Sequence, residues 1–488
     1  MKKNIIKYIA IALGAAVLTS GCNDFLNEAP ILSLDSERTL STYNGLVNAT
    51  AGAYAPLAST TWYSGDRILQ VEMRSGNGSK SRGDSWDSNR YFTDYEWNYN
   101  PDATYGLWSL GYYVIASANY VIDAVNNNAE TILASDAGAT QQDLNNLKAE
   151  CLFLRAFSHM EMVLFYAQAY NKGTENPGIP VVIAVDPDLD DLPARKTVGE
   201  VYNQVVTDLL EAEKIIDPNY NVSGRGTDPR AVVTLEVIQA YLSRVYLYMS
   251  DWGNAEAYAT KVINSSKYEM WEAEEYNVEL FSQDVIGGEM IFEMYGTTGN
   301  SYWGSWDDIS NIASPNGSYA DAQVSPDLYE LYEPEDVRFT NLQTDNAGKS
   351  GHLWTFKYEG KLNVAQDCNN VPILRLSEMY LNRAEARFNT GNVTGAVADL
   401  NVIRSHRKAS ELPAGIGISE IQRERRLELA YEGHYLLDLA RWKQPVEREY
   451  YISSQNQNVP ADSYRWALPI PRRELEVNKN LEQNIGYE

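Results

Sequence analysis

Two stretches of this chain are apolar on almost every helical face, and they predict its centre. From Leu144 to Tyr170, Leu147, Cys151, Leu154, Met162 and Phe165 line one side, while Leu152, Phe153, Phe157, Val163 and Leu164 fill the others. A helix that is apolar all round has to be enclosed by other helices. Val232 to Met249 behaves alike, with aromatic or aliphatic residues at nearly every position from Leu235 to Tyr248. Apolar positions at helical spacing, separated by polar and Gly-containing breaks, predict further helices over Arg38–Ala58, Tyr105–Asn127, Val198–Ile216, Ala255–Ile263, Ser377–Phe388, Ala396–Arg407 and Ser419–Trp442. The fold class is therefore mainly α.

Part of this helical set repeats. Tyr241-Leu242-x-Arg244 precedes Gly253-Asn254-Ala255 and Val262-Ile263, and Tyr380-Leu381-x-Arg383 precedes Gly391-Asn392 and Val402-Ile403. Gly and Asn suit a chain that enters the left-handed region between two helices. The small residues Ala255, Ala259, Ala396 and Ala398 suit close helix contact. These are tetratricopeptide-like hairpins, and degenerate copies are expected around Leu144–Tyr170 and Val198–Ile216.

Between the helices lie two long stretches of another kind. Thr60–Pro101 holds Trp62, Trp86 and Trp97 among Gly, Ser, Asp, Asn and Arg, and Gly296–Gln323 holds Tyr302, Trp303 and Trp306 in a similar setting. Loops of such length inside a compact protein usually carry function. Met290–Met294 and Leu353–Tyr358 are β-prone and predict a few short strands beside them.

Composition narrows the field. A net charge of -26 without a compensating Lys/Arg cluster repels phosphate backbones, so nucleic acid is not an expected partner. The four histidines, His159, His352, His406 and His434, are scattered, with none at metal-ligand spacing. Asp186-x-Asp188-x-Asp190 opens like a calcium loop, but Asp191 stands at the Gly position and Thr197 at the bidentate Glu position. An EF-hand is excluded, only an irregular calcium site stays open, and no cofactor is implied. Cys151, in an apolar helical stretch, reads as a core residue; a disulfide to Cys368 is the alternative.

The N-terminus reads as a bacterial lipoprotein signal. Lys2, Lys3 and Lys7 form a basic region, Ile9–Leu18 an apolar one, and Thr19-Ser20-Gly21 precede Cys22. Cleavage before Cys22 and its acylation would anchor the chain, since each buried CH₂ is worth ~0.8 kcal/mol and two or more chains hold stably. Thr19 stands where such signals usually carry Leu or Val, and plain secretion with an incidental Cys22 is the alternative. The expected organisation is a signal peptide over 1–21, a lipidated tether over 22–37 and one domain over 38–488. Within that domain the scaffold is mainly 38–58, 105–263 and 372–445, and the loop-rich lobe mainly 59–104, 264–371 and 446–488.

Leu154-Arg155-Ala156-Phe157 with Phe165-Tyr166, Thr197-Val198 with Glu200-Val201-Tyr202, and Arg375-Leu376-Ser377-Glu378-Met379-Tyr380 with Arg383-Ala384-Glu385 follow one another in order. So do Arg425-Arg426-x-Glu428-Leu429, Glu432-Gly433-His434, Asp438-Leu439-x-Arg441-Trp442 and the closing Leu468-Pro469-Ile470-Pro471 with Asn478, Asn480-Leu481 and Gln483-Asn484. In that order they resemble the SusD/RagB family of Bacteroidetes outer-membrane lipoproteins. The resemblance implies a helical scaffold of about four tetratricopeptide-like pairs and a nutrient-binding partner of a SusC-like TonB-dependent outer-membrane transporter. It implies a glycan as ligand, or a peptide in the RagB branch.

Glu420, Glu424, Glu428 and Glu432 recur every fourth residue with Arg423, Arg425 and Arg426 interleaved. Carboxylates beside several guanidinium groups have lowered pKa values, unsuited to a general acid, so this face reads as a structural ion network. Trp442 and Tyr435 on the same helix read as core.

Function is then expected in the loops. A pyranose presents a flat C–H face ringed by hydroxyls, which an exposed indole or phenol with nearby Asp, Asn and Arg matches. Trp303, Trp306 and Tyr302, followed by Asp307 and Asp308, form one candidate platform. Trp86, among Arg82, Asp84, Asp87, Asn89 and Arg90, forms another, and Trp62 is a separate ligand candidate. Each tryptophan taken alone can equally be a loop-packing aromatic. Trp97, Trp108, Trp252, Trp271 and Trp354 adjoin apolar or aromatic runs and read as core. A glycoside hydrolase using Asp307 or Asp308 with a distant Glu is the competing enzymatic reading; it needs a cleft with paired carboxylates.

Overall fold

The computed structural model describes residues 39–80, 88–102, 106–185, 192–221, 229–276, 288–296, 306–315, 317–344, 352–360, 369–451 and 456–488. Its long helices are α1 (Tyr43–Tyr54), α2 (Asp66–Ser75), α3 (Gly106–Ala134), α4 (Gln141–Tyr166), α5 (Val198–Ile215), α6 (Leu235–Tyr248), α7 (Trp252–Asn264), α8 (Leu376–Asn389), α9 (Val393–His406), α10 (Ile418–Glu428) and α11 (Tyr435–Trp442). From α3 to α9 each helix packs against the next in chain order, as in a helical-repeat stack.

The expected centre is found. Every residue of α4 from Ala149 to Val163 is buried, and its polar members include several that are firmly engaged. Glu150 accepts from the Tyr54 hydroxyl at 2.6 Å and Tyr220 at 2.7 Å, Arg155 pairs with Asp208 at 2.6 Å, and Glu161 pairs with Arg67. His159 and His434 are buried, and Cys151 is a core thiol 3.8 Å from the Thr50 hydroxyl.

The repeat is real but sits differently from the Gly-Asn alignment. In α8/α9, Gly391 takes the left-handed turn (φ +89) and Asn392 caps α9 by accepting from the Gly395 N–H at 3.0 Å. In α6/α7 those roles fall to Ser250 (φ +60) and Asp251, which accepts from the Asn254 N–H at 3.2 Å, so Gly253 and Asn254 lie inside α7. The equivalent core positions are thus Ala255 with Ala396 and Val262 with Ile403, all buried. Geometry, one left-handed residue followed by a side-chain cap, is what repeats; residue type is free to vary.

The helix expected over Ser419–Trp442 is two helices, α10 and α11. The chain turns between them at Tyr431 (φ +60) and Gly433 (φ +77). A Cβ on Gly433 would stand 2.6 Å from the Arg67 Nη1 and 3.3 Å from the Ile68 Cα, so α2 packs onto bare backbone here. The Gly433 carbonyl accepts from Arg67 at 2.7 Å and its N–H donates to Glu72 at 2.9 Å.

The glutamate ladder on α10 is an ion network, with Glu420 apart as a cap that accepts from the Gly417 N–H at 2.9 Å. Arg338 bonds Glu424 at 2.6 Å, Glu428 at 3.0 Å and Asp336 at 2.6 Å. Arg375 reaches Glu432 at 2.7 Å and also Glu289 and Glu428; Arg407 reaches Glu428 and Glu289; Arg404 reaches Glu424; Lys357 reaches Glu432. Burial opposes charge on Glu428, yet Arg407, Arg375 and Arg338 together hold its carboxyl well below the usual range. The network ties segments 336–338 and 357 of the loop lobe to the helical frame.

Among the described residues, three two-stranded antiparallel ribbons lie in the lobe: β1 (Gly78–Ser79) with β3 (Gln323–Val324), β2 (Met290–Met294) with β6 (Val371–Arg375), and β4 (Leu342–Thr344) with β5 (Leu353–Thr355). Both predicted strand regions are among them, although β5 stops at Thr355.

Candidate functional site

The two long loops are stitched together. Gly78 pairs with Val324 and Ser79 with Gln323, the Ser325 N–H donates to the Asn77 carbonyl at 2.8 Å, and the Ile309 N–H to the Ser64 carbonyl at 2.7 Å. Gly65 makes the last approach feasible, because a Cβ there would lie 2.3 Å from the Thr60 carbonyl oxygen and 3.0 Å from that of Asp307. Residues more than two hundred positions apart therefore share one face.

On that face Trp306 is 65% exposed, unusual for so large an apolar side chain. Its ring meets Tyr319 edge-on, with centroids 5.9 Å apart. The Arg90 guanidinium lies over Tyr319, 3.5 Å from the ring centroid, and its Nε donates to the Asp307 Oδ1 at 2.8 Å. The loop that carries Arg90 is held from below. Buried Asp321 accepts from the N–H groups of Ser88 at 3.1 Å and Arg90 at 3.3 Å, and the Lys80 Nζ donates to the Asp321 carbonyl at 3.2 Å. Asn89 is exposed in the left-handed region (φ +60). The result is a ledge, Trp306–Tyr319–Arg90–Asp307, with one open indole and polar groups around it.

Beneath it, the Tyr91 hydroxyl donates to the Asp66 Oδ1 at 2.7 Å. Burial pushes the Asp66 carboxyl up to about 6, the Tyr91 bond counters this, and the nearby Asp307 charge adds to it. Asp308 is buried and caps the turn Ile309–Ala313, accepting from the Ser310 N–H at 2.8 Å. Of the two aspartates considered for hydrolysis, one is thus a cap and the other an arginine partner.

Of the ligand residues read from the sequence, Trp306, Asp307 and Asn89 come together here. Trp62 does not. It has no exposed surface and stacks on Phe157 at 6.2 Å, so it is a core residue and unavailable to any ligand. Tyr302, Trp303, Arg82, Asp84 and Trp86 lie outside the described residues, as do Cys22, Cys368 and the Asp186–Asp190 run. Trp97, Trp108, Trp271 and Trp354 are buried as expected, and Trp252, Tyr435 and Trp442 are half-buried against the core. Tyr319, the partner of Trp306, is not among the residues read from the sequence. Its only signal there is an aromatic in the same polar stretch, Gly317-Ser318-Tyr319. Among the described residues no group of three or more His, Cys, Asp or Glu is placed to hold a metal, and no helix is long and apolar enough to cross a membrane.

Fold and surface together define a helical-repeat scaffold carrying a loop lobe with an aromatic, ion-paired ledge. A family model described as "SusD family" matches residues 343–487, and one described as "Starch-binding associating with outer membrane" matches residues 24–247. The chain belongs to the SusD family. It is 25% identical to SusD-like protein P2 of Formosa agariphila over 100% of both chains, and 24% identical to the starch-binding protein SusD of Bacteroides thetaiotaomicron, again over 100% of both. A SusD superfamily protein structure from Bacteroides thetaiotaomicron superposes with a TM-score of 0.81 at 26% identity, covering 91% of this chain and 99% of that one. A putative sugar-binding protein from Bacteroides vulgatus gives 0.79 at 25% identity, over 92% and 99%.

Proposed function

We propose that this protein is a cell-surface glycan-binding lipoprotein, anchored through Cys22, that captures an oligo- or polysaccharide and passes it to a SusC-like TonB-dependent outer-membrane transporter without catalysis. The observation that carries the binding role is the open indole of Trp306, set by Tyr319 and bordered by the Arg90–Asp307 pair. A C–H face stacks on the indole while the arginine, aspartate and Asn89 serve hydroxyls. The relatives named for starch and sugar binding support a glycan as ligand, and the lipoprotein-like leader and the outer-membrane description of the matching family support the location. Arginine pairing of Asp307 and burial of Asp308 favour holding a ligand over cleaving it.

Titration of the purified protein with maltoheptaose and a panel of neutral plant and algal oligosaccharides tests this. Trp306→Ala is expected to cost ~1–2 kcal/mol, about 5- to 30-fold in Kd, with unchanged thermal stability. Unchanged affinity would remove Trp306 from the site. Retention of a peptide and of no glycan, or new reducing ends that vanish in Asp307→Ala, would overturn the reading.

A further inference from the structure

An open groove of about 570 Å³ lies where α4 leads into residues 168–177, beside the end of α11 and the 461–467 turn. It shares no lining residue with the Trp306 ledge. Lys172 and Lys443 both border it. The Lys172 Nζ lies 4.7 Å from the Trp466 ring centroid and 3.3 Å from the Gln168 Oε1. Lys443 follows α11 in the left-handed region at φ +57. Among the described residues neither ammonium makes an ion pair, whereas Arg375, Arg407 and Arg441 each engage carboxylates.

Lys172 and Lys443 bring two positive charges to one groove against the single carboxylate of Asp462, so an anion entering between the ammonium groups gains Coulomb attraction from both. Burial lowers the Lys172 pKa to about 8, with Asp462 opposing this and Lys443 adding to it. It remains mostly protonated at neutral pH. The walls suit a sugar. Tyr464 (38% exposed) and Ile485 (77% exposed) supply apolar surface, and Asn176 lines the same groove. Gln168 is a fixed wall, its Nε2 donating to the Tyr464 carbonyl at 3.2 Å, and the Asn484 Nδ2 donates to the carbonyls of Tyr166 at 2.8 Å and Leu468 at 2.7 Å. Asp462 lines the groove as well, so its walls carry two cationic side chains against one carboxylate in a chain of net charge -26.

We propose that this groove is a second ligand site, for a saccharide bearing a carboxylate or sulfate, with Lys172 and Lys443 holding the acidic group and Tyr464 the ring. Lysine suits that task as a mobile point charge that needs no bidentate geometry. The proposal stands apart from the ledge, so each site can fail alone.

Calorimetric titration of the purified protein with tetragalacturonate, with neocarratetraose disulfate and with neutral maltotetraose decides it. At least one acidic probe is expected to bind, with affinity at least tenfold lower in Lys172→Gln and in Lys443→Asn and falling as salt is raised. The two acidic arms tell carboxylate from sulfate. Trp306→Ala is expected to leave this binding intact. Asn tolerates the left-handed backbone, so Lys443→Asn keeps the fold and decides alone if Lys172→Gln lowers the melting temperature. No binding of either acidic probe, equal binding in both lysine variants, or loss confined to Trp306→Ala would overturn the proposal.

Discussion

Glu428 is the position where one atom's change should be felt across the fold. Its carboxylate meets Arg338 and Arg407 at 3.0 Å each and also Arg375, all almost without exposure. The buried cations of this network are Arg338, Lys357, Arg375, Arg404 and Arg407, and the buried anions are Glu289, Asp336, Glu424, Glu428 and Glu432. Charge therefore balances, and Glu428→Gln leaves one uncompensated positive charge and turns an amide N–H₂ toward guanidinium groups. Breaking a buried pair in this way costs ~3–5 kcal/mol. At ~2.1 cal/mol/K per residue, unfolding entropy over 488 residues is roughly 1 kcal/mol/K, so the melting temperature should fall by about 3–5 °C. Glu420→Ala, which removes an exposed cap contact on the same helix, should cost ~0.5–1 kcal/mol. Because the folded-state pKa of Glu428 is depressed, its contribution is complete above the ordinary carboxylate pKa and fades only as pH falls through the folded value. The gap between wild type and Glu428→Gln, followed by calorimetry, should be flat from pH 8 to 5 and close in stronger acid. A gap below ~1 kcal/mol, or one that closes between pH 8 and 6, would refute the assignment of this cluster as a fully ionised buried network.

Asp66 should show the opposite sign. Its carboxyl is pushed up to about 6 in the fold, so the ionised form destabilises the protein above that pH and the penalty vanishes as both states protonate below ~4. Asp66→Asn, which still accepts from Tyr91, should raise stability at pH 8 by ~1–3 kcal/mol and do nothing at pH 3.5; equal effects at both pH values would contradict this. Gly433→Ala forces a Cβ at φ +77 against Arg67 and should cost ~1–3 kcal/mol, whereas Gly52→Ala in α1, with open space around it, should be neutral or stabilising. Thermal melts of the two variants side by side check the contrast.

Much of the frame can be read directly. Helices that are apolar on all faces, such as α4 and α6, have no option but burial, and the spacing of Glu424, Glu428 and Glu432 among arginines already implies an ion network. The break at Gly433 is visible as a glycine, yet the apolar pattern runs on through it; only contact with α2 shows why bare backbone is needed. The turn of the α6/α7 hairpin differs from its sequence expectation for a related reason, since Ser250 adopts the left-handed state that glycine advertises elsewhere.

The chain's local pattern was enough to establish a helical-repeat frame, an aromatic loop lobe and the family, because burial and turn chemistry act over a few residues. Which aromatic faces water was a tertiary decision. Trp62 and Trp306 sit in equally polar stretches, but one stacks on Phe157 inside the core and the other stands open on the face where a ribbon joins Gly78 to Val324. The same holds for Arg90 over Tyr319 and for the two lysines at the second groove. Such pairings form between segments far apart in the chain, so no local window contains both partners.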